Sequence, residues 1–385
     1  MIPAKPLRSL KRAFLLALLG LTQALAASPP VVAFVDALDV ATPSLPALTR
    51  VDGNTVIQYE LHVTNFGNAL VAVEELDVRA AAGTALSHFA RPQLLARASV
   101  IGRSGDPLTL EPGERAVLYL EAVCDSAPEA LINEIAFRSP RDQIAGKVSH
   151  RTAVRTNSRD AVLGPPLAGG PWVAIYSAQW TRGHRRVFYA VDGRAILPGR
   201  FAIDWVRLDA QHQVARGDPD VVANHVGYGT PVLAVADARV VAMRSNVVEQ
   251  PLVSQNPHHA LEEAAGNYVA LELADGRFVI YEHLRPGSSP VKVGDAVHRG
   301  AVIGELGFTG DSTGPHLHFH VADRAEPLKG DGLPFALEHF DVVGGFDDAA
   351  DIGSQRWRDL PAGAPHERRD EFPAPLAVVM FQRDE

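Results

Sequence analysis

The sequence predicts a mainly β protein in which two antiparallel β regions follow one another. Short runs rich in Val, Ile, Tyr, Phe and Thr recur along nearly all of the chain, broken by Gly, Pro and Asn turn signals. No segment sustains the 3.6-residue period of a long amphipathic helix. The 385 residues exceed what one hydrophobic core usually holds, so two domains with extensions are expected.

The chain opens with Lys5, Arg8, Lys11 and Arg12, continues through an apolar run over 13–21 and reaches Ala24-Leu25-Ala26, a small-x-small cleavage pattern. Residues 1–26 therefore read as a secretory signal peptide, which places the protein in the periplasm or outside the cell. The apolar core is shorter than the roughly 20 residues of a membrane span, and no later segment supplies one, so no membrane span is expected after signal removal. Cys124 is the only cysteine, so the core or a metal, and no internal disulfide, must hold the exported chain together. Without the four leader cations, 32 basic residues face 45 acidic ones, a formal balance of −13. That balance argues against sequence-independent binding of nucleic acid.

Within 27–156, β-type runs at 55–65, 70–78, 116–123 and 132–137 are separated by Gly53-Asn54, Gly67-Asn68 and Pro112-Gly113. This spacing suggests an immunoglobulin-like β-sandwich, with no catalytic cluster of its own and a positioning, partner-binding or stabilising role. Residues 157–170, rich in Gly, Pro and small side chains, read as a linker. A second antiparallel β domain is expected over 171–345, with runs at 201–206, 231–236, 268–273, 277–283 and 301–306. Polar stretches at 207–226 and 246–265 read as long loops rimming a groove. The charged, proline-rich extension 346–385 is expected to be poorly ordered or to lie as a strap on the surface.

The chemistry concentrates in Gly314-Pro315-His316-Leu317-His318-Phe319-His320. Alternate residues of a strand face one side, so the three imidazoles line up where they can bind a metal or exchange protons. Upstream, in fixed order, stand Gly266-Asn267-Tyr268-Val269, Tyr281-Glu282-His283-Leu284, Val293-Gly294, Ile303-Gly304, Gly307 and Thr309-Gly310. This series, over roughly 200–321, resembles the lysostaphin-like metallopeptidases, the secreted peptidoglycan endopeptidases that include LytM.

The resemblance implies a lysostaphin-like antiparallel β catalytic domain holding Zn2+. In that family a His-x-x-x-Asp segment and the second His of His-x-His are the ligands, which map here to Asp204 and His318. His283 and His316 map to catalytic positions, orienting or deprotonating water and stabilising or protonating the developing charges. Tyr281 and Asn267 map to supporting ones, and Tyr281, two residues from His283, should point the same way. His320 continues the histidine face, either as a partner of a ligand or exposed at the strand end.

The departure is Arg200, which stands where the first ligand histidine is expected in Arg200-Phe201-Ala202-Ile203-Asp204. Guanidinium is a permanently charged, poor metal ligand. Three readings stay open: another histidine enters the site, either His184 or His225; the metal is held by Asp204, His318 and waters; or catalysis has been lost and the groove kept for binding. The first yields a zinc metalloendopeptidase acting on peptide cross-links of peptidoglycan. The last yields a silent relative that binds peptidoglycan or regulates another cell-wall hydrolase. His258-His259 are set aside as ligands, because adjacent residues diverge and the surrounding loop is rich in Glu.

Overall fold

The structure is a computed structural model that describes residues 37–139, 144–155, 161–181, 183–364 and 366–382. The expected signal peptide, 1–26, lies outside the described residues. Strands dominate: the one α-helix among the described residues is the six-residue Arg91–Ala96. None is long and apolar enough to cross a membrane.

In the N-terminal part, two five-stranded antiparallel sheets share one core. Strand Asn54–Asn65 pairs over ten residues with Arg115–Cys124, and Val71–Ala80 pairs with Ala130–Ser139 in the other sheet. The period-2 alternation decides what each face does. Ile57, Tyr59, Leu61 and Val63 enter the shared core, where each fully buried aliphatic contributes about 1.5–3 kcal/mol. Gln58, Glu60, His62 and Thr64, on the opposite face, are also buried. Gln58 and Thr64 bond to Thr49 and Arg115 of the same sheet, while Glu60 and His62 are met by Arg185, Arg200 and Phe188 of the second part of the chain.

That second part is built on a thirteen-stranded sheet. Its middle runs in the order Gly169–Ile175, Ile203–Arg207, Leu317–Ala322, Phe278–Glu282 and Tyr268–Glu272, every neighbouring pair antiparallel. The register sets Asp204 opposite His318 on one side and Glu282 opposite His318 on the other. Leu317, Phe319, Val321 and Tyr281 pack into the main core on the reverse face. Burial of that apolar face fixes the register, because a one-residue slip would turn the histidines into the core.

Two expectations need correction. The end of the 346–385 segment is not a surface strap: Ala377–Phe381 lies between Phe335–Gly345 and Gly169–Ile175, with Ala377, Val378, Val379 and Phe381 buried. Its β-branched run is short and set among charges and prolines that dominate the local composition. The stretch read as a linker contributes Ala161–Leu163, which pairs in parallel with Phe335–Leu337. Three residues are too few for a periodic signal, and their partner lies far along the sequence.

Of the two polar stretches, 246–265 reaches the wall of the site through Ala264 and Ala265, and both stretches are fastened. Asp220 accepts from the backbone N and the hydroxyl of Ser254, at 2.7 and 2.8 Å. Asn256 donates to the carbonyls of Gly310 and Ser312 at 2.8 and 2.9 Å.

Candidate metal centre

Asp204 sits at the centre of the histidine cluster. Its carboxylate is 2.8 Å from His318 Nδ1 through Oδ1 and 2.7 Å from His184 Nε2 through Oδ2. The His184 and His318 rings meet edge to face, with centroids 4.7 Å apart. His316 Nε2 lies 3.3 Å from Asp204 Oδ1. Ligand atoms of His184, Asp204 and His318 fall within 4.8 Å of one another. Burial opposes the charge on Asp204, yet His184 and His316 hold its carboxyl well below the usual carboxylate range.

His184 opens the 3-10 turn His184–Arg186, which lies across the next 3-10 turn, Pro198–Phe201. The contact is possible because residue 199 is glycine: a Cβ there would stand 2.4 Å from the His184 Cβ. His225, the other histidine considered near the strand, places Nε2 2.8 Å from the Pro219 carbonyl and joins none of the metal-compatible clusters among the described residues. Arg200 is turned away from Asp204 and donates from Nε to Glu60 Oε2 at 2.6 Å.

His283 and His316 stand beside this set, with ring centroids 4.7 Å apart. His283 Nδ1 is 2.7 Å from the Thr309 carbonyl and His316 Nδ1 is 2.7 Å from the Gly314 carbonyl. A carbonyl only accepts, so each ring carries its hydrogen on Nδ1 and keeps Nε2 for exchange with the site. Burial, reinforced by His316 and His318, lowers the His283 pKa well below the ordinary imidazole value. For His316 burial acts in the same sense, but Asp204 outweighs it and raises the pKa.

His283 also corrects the expectation for Tyr281. It follows the last residue of Phe278–Glu282 and has φ +62°, a left-handed conformation costly for a non-glycine residue. The turn swings its ring to the His318 side, with centroids 5.9 Å apart. Tyr281 keeps the strand alternation, packs in the core and accepts a hydrogen bond from Val235 N at 3.0 Å. Strand alternation failed because His283 is no longer in the strand. Asn267 fixes the Val247 backbone through both its amide oxygen and nitrogen at 2.8 Å, and its nitrogen also donates to the Leu284 carbonyl next to His283 at 3.2 Å.

Glu282 was not singled out in the sequence, and it faces the site. It is buried opposite His318, and burial raises its carboxyl pKa despite the opposing field of His318. His320 is buried at 1% exposure, so the strand-end reading does not hold. Its Nδ1 lies 3.8 Å from Glu282 Oε1, and neither ring nitrogen has a hydrogen-bond partner among the described residues. The signal for Glu282 was the cross-strand register, which one sequence does not display. His258 is almost fully exposed beside Asp311, apart from the cluster.

A cavity of about 530 Å³ opens onto these groups, walled by Trp180, Tyr189, Ala264, Ala265, Thr313 and Leu328. One carboxylate and two imidazoles at a cavity could hold a metal ion, and two further oriented imidazoles beside them could exchange protons there. Residues 221–329 match peptidase family M23. The match begins beyond Arg200 and Asp204.

The peptidoglycan DD-endopeptidase ShyC of Vibrio cholerae serotype O1 is 31% identical over 134 residues, 34% of this chain and 29% of ShyC. ShyA of the same organism is 36% identical over 101 residues, 26% of this chain and 19% of ShyA. The matched stretch spans less than a third of either relative. The catalytic domain of lysostaphin from Staphylococcus simulans is 22% identical, over 42% of this chain and 80% of that domain, with a TM-score of 0.21.

Proposed function

We propose that the chain is an exported zinc endopeptidase that hydrolyses peptide cross-links of bacterial peptidoglycan, with His184, Asp204 and His318 as ligands and His283 and His316 as proton-handling residues. The observation that carries this reading is the convergence of His184 Nε2 and His318 Nδ1 on opposite oxygens of Asp204, at 2.7 and 2.8 Å. The donor set fits zinc: two imidazoles and a carboxylate leave a fourth position free, and the cavity meets the same groups. Bound there, zinc supplies a Lewis acid for the scissile carbonyl and brings the pKa of a water to about 7.

The chain's own residues do the rest. With their Nδ1 hydrogens tied to carbonyls, His283 and His316 offer Nε2 to take a proton from water or return it to the leaving amine. Held to the backbone at Thr309 and Gly314, the rings spend little entropy in reaching a productive position. Peptidoglycan as substrate is supported by the DD-endopeptidase relatives, and export by the leader-like residues 1–26.

A β-sandwich domain over 27–156 and a peptidase domain over 171–345 are proposed, the latter's sheet extended by Ala161–Leu163 and Ala377–Phe381. The test measures zinc per chain and muropeptide release from purified peptidoglycan for wild type, His184→Ala and His318→Ala. About one zinc in wild type, with loss of zinc and turnover in both variants, is expected. Wild type that binds peptidoglycan without zinc or turnover would replace the enzyme by a silent binding relative.

A further inference from the structure

The segment that carries His184 is built onto the N-terminal sheets. Arg185, 5% exposed, donates to Glu60 Oε1 at 2.9 Å, to Glu121 Oε1 at 3.0 Å, and to the carbonyls of Tyr59 and Leu120 at 3.2 and 3.1 Å. Arg186 donates to the Ala96 and Ala98 carbonyls at 2.7 and 2.8 Å and lies over the Tyr119 ring, 4.8 Å from its centroid. Phe188 meets His62 edge to face at 5.7 Å.

Glu60 is the common point of this interface. It is 3% exposed and takes Arg185 on one oxygen and Arg200 on the other. The two guanidinium groups outweigh the cost of burying its charge and hold its carboxyl below the usual range. Arg185 follows His184 directly, and Arg200 begins the segment that ends at Asp204. One carboxylate of the N-terminal sheets therefore grips two of the three chain segments that carry the proposed ligands.

Resting on the ligand set proposed above, we infer that Glu60 is a positioning residue for the metal centre: by pairing with Arg185 and Arg200 it fixes the His184 turn over Asp204, so the N-terminal sheets complete the site. Arg200, in the place of a ligand histidine, then serves as an anchor and leaves coordination to His184. A carboxylate is required because both partners are donors only. Glutamine would keep one acceptor and turn an N–H group toward the other guanidinium.

The test uses the full chain. Zinc affinity is measured by competition with a chromophoric chelator, and geometry by the visible absorption of cobalt(II) in the site, for wild type, Glu60→Gln, Arg186→Ala and Leu76→Ala. Loss of groups that hold a ligand in place lowers metal affinity by about 10–100-fold. Glu60→Gln should show that loss and a changed cobalt spectrum while remaining folded by circular dichroism. Leu76→Ala, which weakens the same N-terminal core from the other sheet, should stay within about twofold of wild type.

Folded Glu60→Gln with wild-type zinc affinity and cobalt spectrum would overturn the inference and leave the zinc reading intact. A loss in Leu76→Ala equal to that in Glu60→Gln would also overturn it, as mere destabilisation. If Glu60→Gln does not fold, Arg186→Ala decides: about tenfold weaker binding supports the inference and unchanged binding overturns it. Wild type that binds no zinc overturns the metal reading and this inference together.

Discussion

A Cβ on residue 199 would stand 2.4 Å from that of His184, well inside the contact distance of two carbons. Gly199→Ala should therefore lift the His184 turn from Asp204 and weaken zinc about tenfold or more in a folded protein, as chelator competition would show; unchanged affinity would refute the packing argument. A second prediction concerns His318. Burial lowers its pKa, but Glu282 and Asp204 outweigh that and raise it above the ordinary 6.5. A ligating nitrogen must be free of its proton, so zinc affinity should fall as pH drops through this raised value. Zinc titrations should show the loss beginning nearer neutrality than an ordinary imidazole gives; full affinity held to well below pH 6 would contradict it. At this scale much was legible in the sequence: strand alternation placed His316 and His318 on one face, and the run before Asp204 set its register. His184 could be named only as one of two replacements, because its route into the site depends on contacts with Gly199 and Glu60 that no local pattern encodes.

The strand Ala377–Phe381 shows what the sequence concealed among its elements. Phe381, 2% exposed, meets Trp205 edge to face at 5.2 Å beneath the strand that carries Asp204. Phe381→Ala should lower stability by about 3–5 kcal/mol in denaturant unfolding, whereas a surface strap would lose less than about 1 kcal/mol. Long central strands such as Asn54–Asn65 and Arg115–Cys124 were visible through their own composition. The partners of Ala161–Leu163 and Ala377–Phe381 were not, because pairing with segments outside a short window leaves no mark within it. The turn at His283 was hidden for a different reason: its positive φ comes from packing against Thr309 and His316, not from a glycine.

In the whole molecule, the N-terminal sheets and the metal centre meet through the polar face of Asn54–Asn65. A second contact reinforces this, with Glu371 accepting from Arg50 Nε at 3.2 Å and from Gly53 N at 3.1 Å, and Phe372 N donating to the Arg50 carbonyl at 2.7 Å. Zinc binding should then protect strand Asn54–Asn65, remote in sequence from every ligand, and slow its amide exchange; exchange unaffected by zinc would separate the two parts energetically. The sequence allowed the N-terminal region a positioning role without saying how, since the buried face of Gln58, Glu60, His62 and Thr64 reads in isolation as a solvated one. His184 is proposed to take over coordination from the position of Arg200. Anomalous scattering at the zinc edge from crystals of the zinc-loaded full chain tests it most directly. One peak is expected about 2.1 Å from nitrogens of both His184 and His318, with an Asp204 oxygen at a similar distance. A peak held by His283, His316 and His318 with His184 out of reach would contradict it.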